Sequence, residues 1–251
     1  MPLTNVLLEF PSWLPVASAV FVVAGCVKGV VGLGLPTVAM GLLALRLAPA
    51  EAAALLIVPS LVTNLWQMGP WRSLKSLLPR LRGLLAGVCL GTWAGAWWLG
   101  MPGGVGGRML LGVALIGYAL WSLAGAAWQV PARHEGWLGP VMGGVTGAIT
   151  AVTGVFVLPA VPYLQALQLP REHFVQAMGL SFSVSTLALA IGMAGQQGFA
   201  PAGLAWSVLM PLPALLGMAL GSRLRQRLSP LWFRRCVMVG LLGLGLHMAL
   251  P

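Results

Sequence analysis

Long apolar runs, each closed by Pro, Gly or a cluster of charge, set the rhythm of this chain. They divide it into ten segments, in two sets of five. The first set covers approximately 14–31, 35–47, 51–68, 83–100 and 108–127, and the second approximately 138–154, 156–169, 173–193, 202–221 and 234–250. A bilayer crossing takes about 20 residues, so runs of this length predict transmembrane helices. In each set a break rich in Gly and Pro is all that separates segments one and two. Each such pair is a full helix plus a short one, or a re-entrant hairpin. The predicted fold is an all-α polytopic bundle.

Polar positions inside the runs are sparse and fall in helical register. Ser60, Thr63, Asn64 and Gln67 stand at i, i+3, i+4 and i+7, on one face of a helix. In the second set Gln176, Ser181 and Ser185 are the corresponding positions, with Ser183 and Thr186 on neighbouring faces. Gly83, Gly87, Gly91 and Gly95 repeat at intervals of four, and Gly217 and Gly221 form a shorter version. Small residues at that spacing make a flat face for close helix packing.

Composition agrees with the pattern. Of 251 residues, 59% are hydrophobic and 7% charged, whereas a soluble domain carries about 25% charged residues. Neither a soluble fold nor a disordered chain fits those proportions. Eleven Trp mostly fall near segment ends, among them Trp66, Trp71, Trp97, Trp98 and Trp128, as interface anchors do. The net charge of +10 would point to nucleic acid in a soluble protein. Here the basic residues cluster in a few loops and mark the cytoplasmic side, so no nucleic-acid partner is expected. Residues 1–12 lack Lys and Arg, and Pro11 and Pro15 interrupt the first run, so a cleaved signal is not expected. Cys26, Cys89 and Cys236 are far apart and form no ligand set with His134, His173 or His247. Neither a metal nor a cofactor is expected.

The two sets resemble each other. Gly25-Cys26-Val27-Lys28-Gly29 matches Gly143-Gly144-Val145-Thr146-Gly147, and Pro36 lies near Pro159 with a few residues inserted in the second half. Pro49-Ala50-Glu51 matches Pro170-Arg171-Glu172, and Ser60 and Asn64 follow at the same spacing as Ser181 and Ser185. This ordered series points to a duplication. Arg72, Lys75, Arg80 and Arg82 follow segment three of the first half, whereas Gln196 to Gly203 carries no charge. Conversely, Arg223, Arg225, Arg227, Arg234 and Arg235 follow segment four of the second half, where the first half has only Arg108. Equivalent loops thus lie on opposite sides and the repeat is inverted. Three helices plus a re-entrant pair per half, or five crossings, both satisfy this and place both termini outside. The predicted organisation is a short segment 1–13, a first repeat 14–127, a linker 128–137 and a second repeat 138–251.

Inverted repeats are a recurring plan of secondary transporters, with the site near the midplane and built from broken helices. The breaks here are Gly25 to Pro36 and Gly143 to Pro159. Helix starts at Pro36 and Pro159 leave N–H groups that favour an anion. Lys28 lies in the first break, where a charge is costly and usually functional; it could instead snorkel to an interface or satisfy loose carbonyls. Gly29, Gly32, Gly34 and Thr37 complete the candidate lining in the first half, and Thr146, Gly147, Thr150 and Thr153 in the second. Ser60, Asn64, Ser181 and Ser185 add uncharged donors for oxyanion oxygens. Such side chains also serve to bond helices to each other.

Gly25 to Pro36 with Thr37-Val38-Ala39-Met40-Gly41, then Ala52-Ala53-Ala54 and Pro59 to Asn64, resembles the TauE/SafE sulfite-exporter family. The resemblance recurs from Gly143 to Ser185, through Leu158-Pro159 and Gln176-Ala177-Met178-Gly179, and covers nearly the whole chain. Many members carry a denser glycine run where Lys28 and Leu33 stand here. The resemblance implies a carrier in the bacterial cytoplasmic membrane, most often an exporter of sulfite, sulfoacetate or related sulfonates. The residues themselves indicate an anion without specifying sulfur.

The alternatives are an anion channel, a membrane subunit of a multicomponent importer, and an intramembrane enzyme. There is no Asp and no HExxH zinc motif, and no nucleophile–base constellation is visible, so no enzyme activity is expected. Glu51 and Glu172 occupy equivalent places after a proline, where each complements a helix dipole or carries a coupled proton. The expected partners are a small anion, the bilayer and a possible second copy in a homodimer.

Overall fold

A computed structural model of the chain describes residues 11–69, 71–100, 102, 106–125, 128–195 and 201–250. Most of the N-terminal segment and residues 196–200 of the uncharged loop therefore lie outside the described residues. Eleven helices run in order among those described: α1 (Leu14–Val31), α2 (Leu35–Leu43), α3 (Pro49–Gln67), α4 (Trp71–Trp98), α5 (Gly107–Ala124), α6 (Ala132–Thr153), α7 (Ala160–Ala166), α8 (Arg171–Ala194), α9 (Pro201–Ser207), α10 (Pro211–Leu224) and α11 (Pro230–Ala249). Among the described residues, six helical stretches are long and apolar enough to cross a membrane, namely α1, α3, α5, α8, Gly203–Leu224 and α11. With the family assignment below, they make this a multi-pass membrane protein.

The short second segments are short helices. At 1.5 Å per residue α2 rises about 14 Å and α7 about 10 Å, well under the roughly 30 Å hydrocarbon core. Helix-like turns over residues 44–47 lengthen α2 to about 20 Å.

Three boundaries differ from the sequence reading. The basic stretch 72–82 belongs to α4, because Leu77, Leu81 and Leu84 recur at helical spacing and are buried. Arg234 and Arg235 likewise sit in the first turns of α11, which begins at Pro230. The fourth segment of the second half is two helices, since the chain turns at 208–210 ahead of Pro211 and Pro213.

Packing joins the halves through their glycines. α1 lies against α10, and α6 against α4. A Cβ on Gly25, Gly29, Gly217 or Gly221 would come within 2.0–2.4 Å of the carbonyl oxygens of Ala214, Met218, Val22 and Cys26 respectively. In the α4–α6 interface, a Cβ on Gly143, Gly147, Gly87 or Gly91 would come within 2.1–2.3 Å of those of Leu84, Val88, Pro140 and Gly144. The two interfaces are thus built alike, residue for residue. On the third interface, Gly112 of α5 faces the Gly245 carbonyl of α11, and Gly245 faces that of Gly112.

Inside lies a core of Phe21, Leu35, Met40, Leu55, Leu115, Tyr163, Leu164 and Phe182. Outside, Trp66, Trp97 and Trp98 are exposed, as rings at a membrane interface are.

Candidate functional site

The two breaks share a local design. α1 ends on Gly32 at φ +88°, whose N–H donates to the Lys28 carbonyl (2.7 Å). α6 ends on Gly154 at φ +69°, whose N–H donates to the Thr150 carbonyl (2.8 Å). Only glycine takes this left-handed cap without strain. The caps therefore pair Lys28 with Thr150, whereas the glycine packing above pairs Lys28 with Thr146. Both hold because α6 runs one helical turn further past its packing glycines before it stops. Those four residues are all but one of the five inserted between Gly147 and Pro159, and the fifth lies in the turn before Pro159.

Lys28 is 5% exposed, and its neighbours come from the polar face of α3. Its Nζ donates to Thr63 Oγ1 (3.1 Å) and Asn64 Oδ1 (2.5 Å). Thr63 gives its own hydroxyl proton to the Pro59 carbonyl (2.7 Å), so its oxygen is fixed as an acceptor. One turn on, Gln67 Nε2 donates to the Gly32 carbonyl (2.8 Å) and ties α3 to the break. Both partners of the ammonium are neutral. The one salt bridge among the described residues, Arg80 with Glu135, lies elsewhere. The Lys28 amino group is thus buried inside the protein and held by two neutral dipoles.

Among the described residues several buried polar atoms, on α3 and on other helices, have no hydrogen-bond partner in the protein. They are Thr37 Oγ1 at the start of α2, Ser60 Oγ, Asn64 Nδ2, Gln67 Oε1, Thr92 Oγ1 and Ser181 Oγ on α8. Buried polar groups are normally satisfied, so such a set is informative. Five of these residues, Thr37, Ser60, Asn64, Gln67 and Ser181, were legible from sequence. Ser185 is buried on α8 as well.

The threonines of the second break are engaged differently. Thr146, Thr150 and Thr153 are buried and donate to the carbonyls of Met142, Thr146 and Ile149, each at 2.7 Å. Thr153 Oγ1 also accepts from the Val155 N–H (3.1 Å), which shapes the turn into α7. Gly154 faces the first half, where an added Cβ would meet Met40 Sδ at 3.2 Å and Ala53 Cβ at 3.6 Å. Gly29 and Gly147 sit in the helix crossings, and close packing accounts for their lack of a side chain. Gly34, at φ +104°, begins α2.

Glu51 and Glu172 are exposed at the starts of α3 and α8. Glu51 Oε2 accepts from the Ala48 N–H (3.1 Å), which makes it a helix cap.

One participant was not singled out from sequence. Pro59 cannot donate to Leu55, and Ser207 of α9 fills the gap: its Oγ donates to the Leu55 carbonyl (2.9 Å) and accepts from the Val58 N–H (3.0 Å). The signal was the proline inside an otherwise regular helix.

A family model described as sulfite exporter TauE/SafE matches residues 17–248. The chain belongs to the TauE/SafE sulfite exporter family. That match takes in both breaks, the polar face of α3 and the whole of α8, and it makes membrane transport the setting of the site. Searches of curated proteins and of solved structures gave no match.

Proposed function

We propose that this TauE/SafE member is a secondary transporter, in the export direction, for small sulfur-containing anions such as sulfite, sulfoacetate and other sulfonates. The observation that carries the reading is Lys28, a buried cation with two neutral acceptors and no carboxylate in contact. Lys28 stands in the last turn of α1, and a buried charge without an opposite charge beside it carries a desolvation cost. A bound oxyanion offsets that cost, and its remaining oxygens suit donors such as Asn64 Nδ2, Thr37 and Ser60. Thr146, Thr150, Thr153, Ser181 and Ser185 line the approach from the second half in this reading, with Gly32 and Gly34 shaping the first and Gly29 and Gly147 holding the helix crossings beneath them. The chemistry is binding and release, with no covalent step.

The same reading makes the halves, 14–127 and 138–251, an inverted duplication. Its support is the exchange of partners: each half's first helix packs on the other half's fourth segment, α1 on α10 and α6 on α4, through matching glycines. The short α2 and α7 favour the version with a re-entrant pair and three crossings per half. Charge places residues 72–82 and 223–235 in the cytoplasm. Single cysteines at Lys75 and Arg227 are expected to react only with reagent on that side; labelling of Lys75→Cys from outside contradicts the orientation.

The substrate class is tested in proteoliposomes holding the purified protein alone. Labelled sulfite and sulfoacetate are expected to move, with acetate at least tenfold slower, under pH gradients of both signs. Equal rates for acetate contradict a preference for sulfur oxyanions. If Glu51 or Glu172 carries a coupled proton, E51Q/E172Q loses the dependence on the pH gradient. The cap geometry of Glu51 leads us to expect that the dependence persists.

A further inference from the structure

A cavity of about 240 Å3 lies against Leu33 of the Gly32–Gly34 turn, and Lys28 is not part of its lining. Leu33, in the middle of that turn, forms one wall; Trp121, Trp128, Gln165, Gln168 and Arg234 form most of the rest. These residues come from five places in the chain: the first break, the end of α5, the stretch after it, α7 with its following turn, and α11. None was singled out as a binding residue from sequence, because nothing in their spacing brings them together.

The chemistry of the wall is one-sided. Arg234 Nε donates to Ser122 Oγ (3.1 Å) and Nη2 to the Ser122 carbonyl (2.7 Å). A guanidinium has five N–H donors, so this clamp holds the plane still and leaves others for a ligand. The cavity wall contains no acid. Gln168 takes φ +50°, a left-handed conformation uncommon for its residue type, and its Nε2 donates to the Gln165 carbonyl (3.3 Å). That turn closes α7 with both glutamines on the rim. Two indole rings and Leu33 supply apolar lining beside the charge. A fixed guanidinium, flanking amides and an apolar wall suit an oxyanion with a small organic substituent. A volume of 240 Å3 is room for about eight waters at roughly 30 Å3 each, so the ligand is small.

Position gives the cavity a role. In the proposed orientation Arg234 belongs to the basic group on the cytoplasmic side, and Gly32 is bonded to the Lys28 carbonyl one turn away. We infer that this cavity is a cytoplasmic antechamber, in which Arg234 captures a small organosulfonate before it passes the Gly32–Gly34 turn to Lys28. The inference rests on the transport reading and adds a second anion site to it. The phosphate of an anionic lipid headgroup shares this chemistry, so the test separates the two sources.

The test uses the full chain with Cys26, Cys89 and Cys236 replaced by Ser and one cysteine introduced as Gln165→Cys, with Gln168→Cys as a second reporter should the first fold poorly. Two thiol reagents of similar size are compared, a methanethiosulfonate bearing a sulfonate and one bearing a quaternary ammonium. Relative to free cysteine, the anionic reagent is expected to gain about tenfold over the cationic one, since a charged cleft concentrates its counter-ion by that order or more. Arg234→Gln removes the gain. Ethanesulfonate slows the anionic reagent, and does so equally in a Lys28→Ala background. A ratio equal to that of free cysteine, or one indifferent to Arg234→Gln, overturns the inference. Protection that appears only in nanodiscs containing phosphatidylglycerol, and not with ethanesulfonate, assigns the cavity to lipid and also overturns it. Protection by ethanesulfonate without sulfonate flux in proteoliposomes would sink the transport reading alone.

Discussion

Lys28→Ala is expected to weaken anion binding by about 10- to 100-fold, the equivalent of the roughly 1.5–3 kcal/mol that a hydrogen bond to a charged group contributes. The effect belongs to the substrate more than to the fold. Removing Lys28 leaves Thr63 bonded to the Pro59 carbonyl and frees the protein of a buried charge without a carboxylate partner. Relief of the cost of burying that group offsets the loss of its bond to Asn64 Oδ1. Lys28→Met is therefore expected to unfold at or above the wild-type temperature in detergent while transport falls. Lys28→Arg keeps the charge and is expected to retain part of the activity. The checks are a binding isotherm and a thermal melt on the same preparation. A variant with unaltered affinity removes Lys28 from the site; a variant that is merely unstable makes it a structural residue.

The second large effect is expected at the glycine interfaces. At Gly91 an added Cβ would lie 2.1 Å from the Gly144 carbonyl oxygen, and at Gly221 it would lie 2.2 Å from that of Cys26. Neither neighbour is a flexible side chain that can step aside, so the helices must separate. Ordinary overpacking costs about 1–3 kcal/mol, and separation also forfeits the dispersion contacts that hold membrane helices together. Gly91→Leu and Gly221→Leu are expected to lose most of the folded protein recovered in detergent, to a similar degree. Gly243→Leu on α11 meets nothing within 4 Å and serves as the control. Monodisperse yield by size-exclusion chromatography is the readout. Wild-type behaviour at Gly91 or Gly221 contradicts the packing.

How much of this was legible in the sequence follows from the kind of signal each feature leaves. Glycines at intervals of four and polar residues at helical spacing are local patterns, so both the α4 packing face and the Ser60–Gln67 stripe could be read directly. The breaks were legible because glycine and proline mark them. What the sequence left open was the partner across space. It paired Lys28 with Thr146, and it could not show that α6 continues for one more turn, because extra residues inside a helix leave the apolar pattern intact. Gly29 and Gly147 read as site residues from their motif, yet they lie where backbone meets backbone. The helix over 72–82 was hidden by its own charges, which suggested a loop. Its leucines at 77, 81 and 84 carried the contrary signal. Ser207 and Arg234 were invisible as partners, since each reaches a residue more than a hundred positions away.

A carrier in which two halves expose Lys28 alternately makes one demand that a channel or an importer subunit does not. Counter-flow in proteoliposomes of the purified protein measures it: vesicles are loaded with unlabelled sulfonate and diluted into a trace of labelled sulfonate. The account predicts transient accumulation of label inside, above its equilibrium level, which unlabelled sulfonate drives and Lys28→Ala abolishes. Label that only drifts to equilibrium, at a rate indifferent to the internal sulfonate, would contradict it.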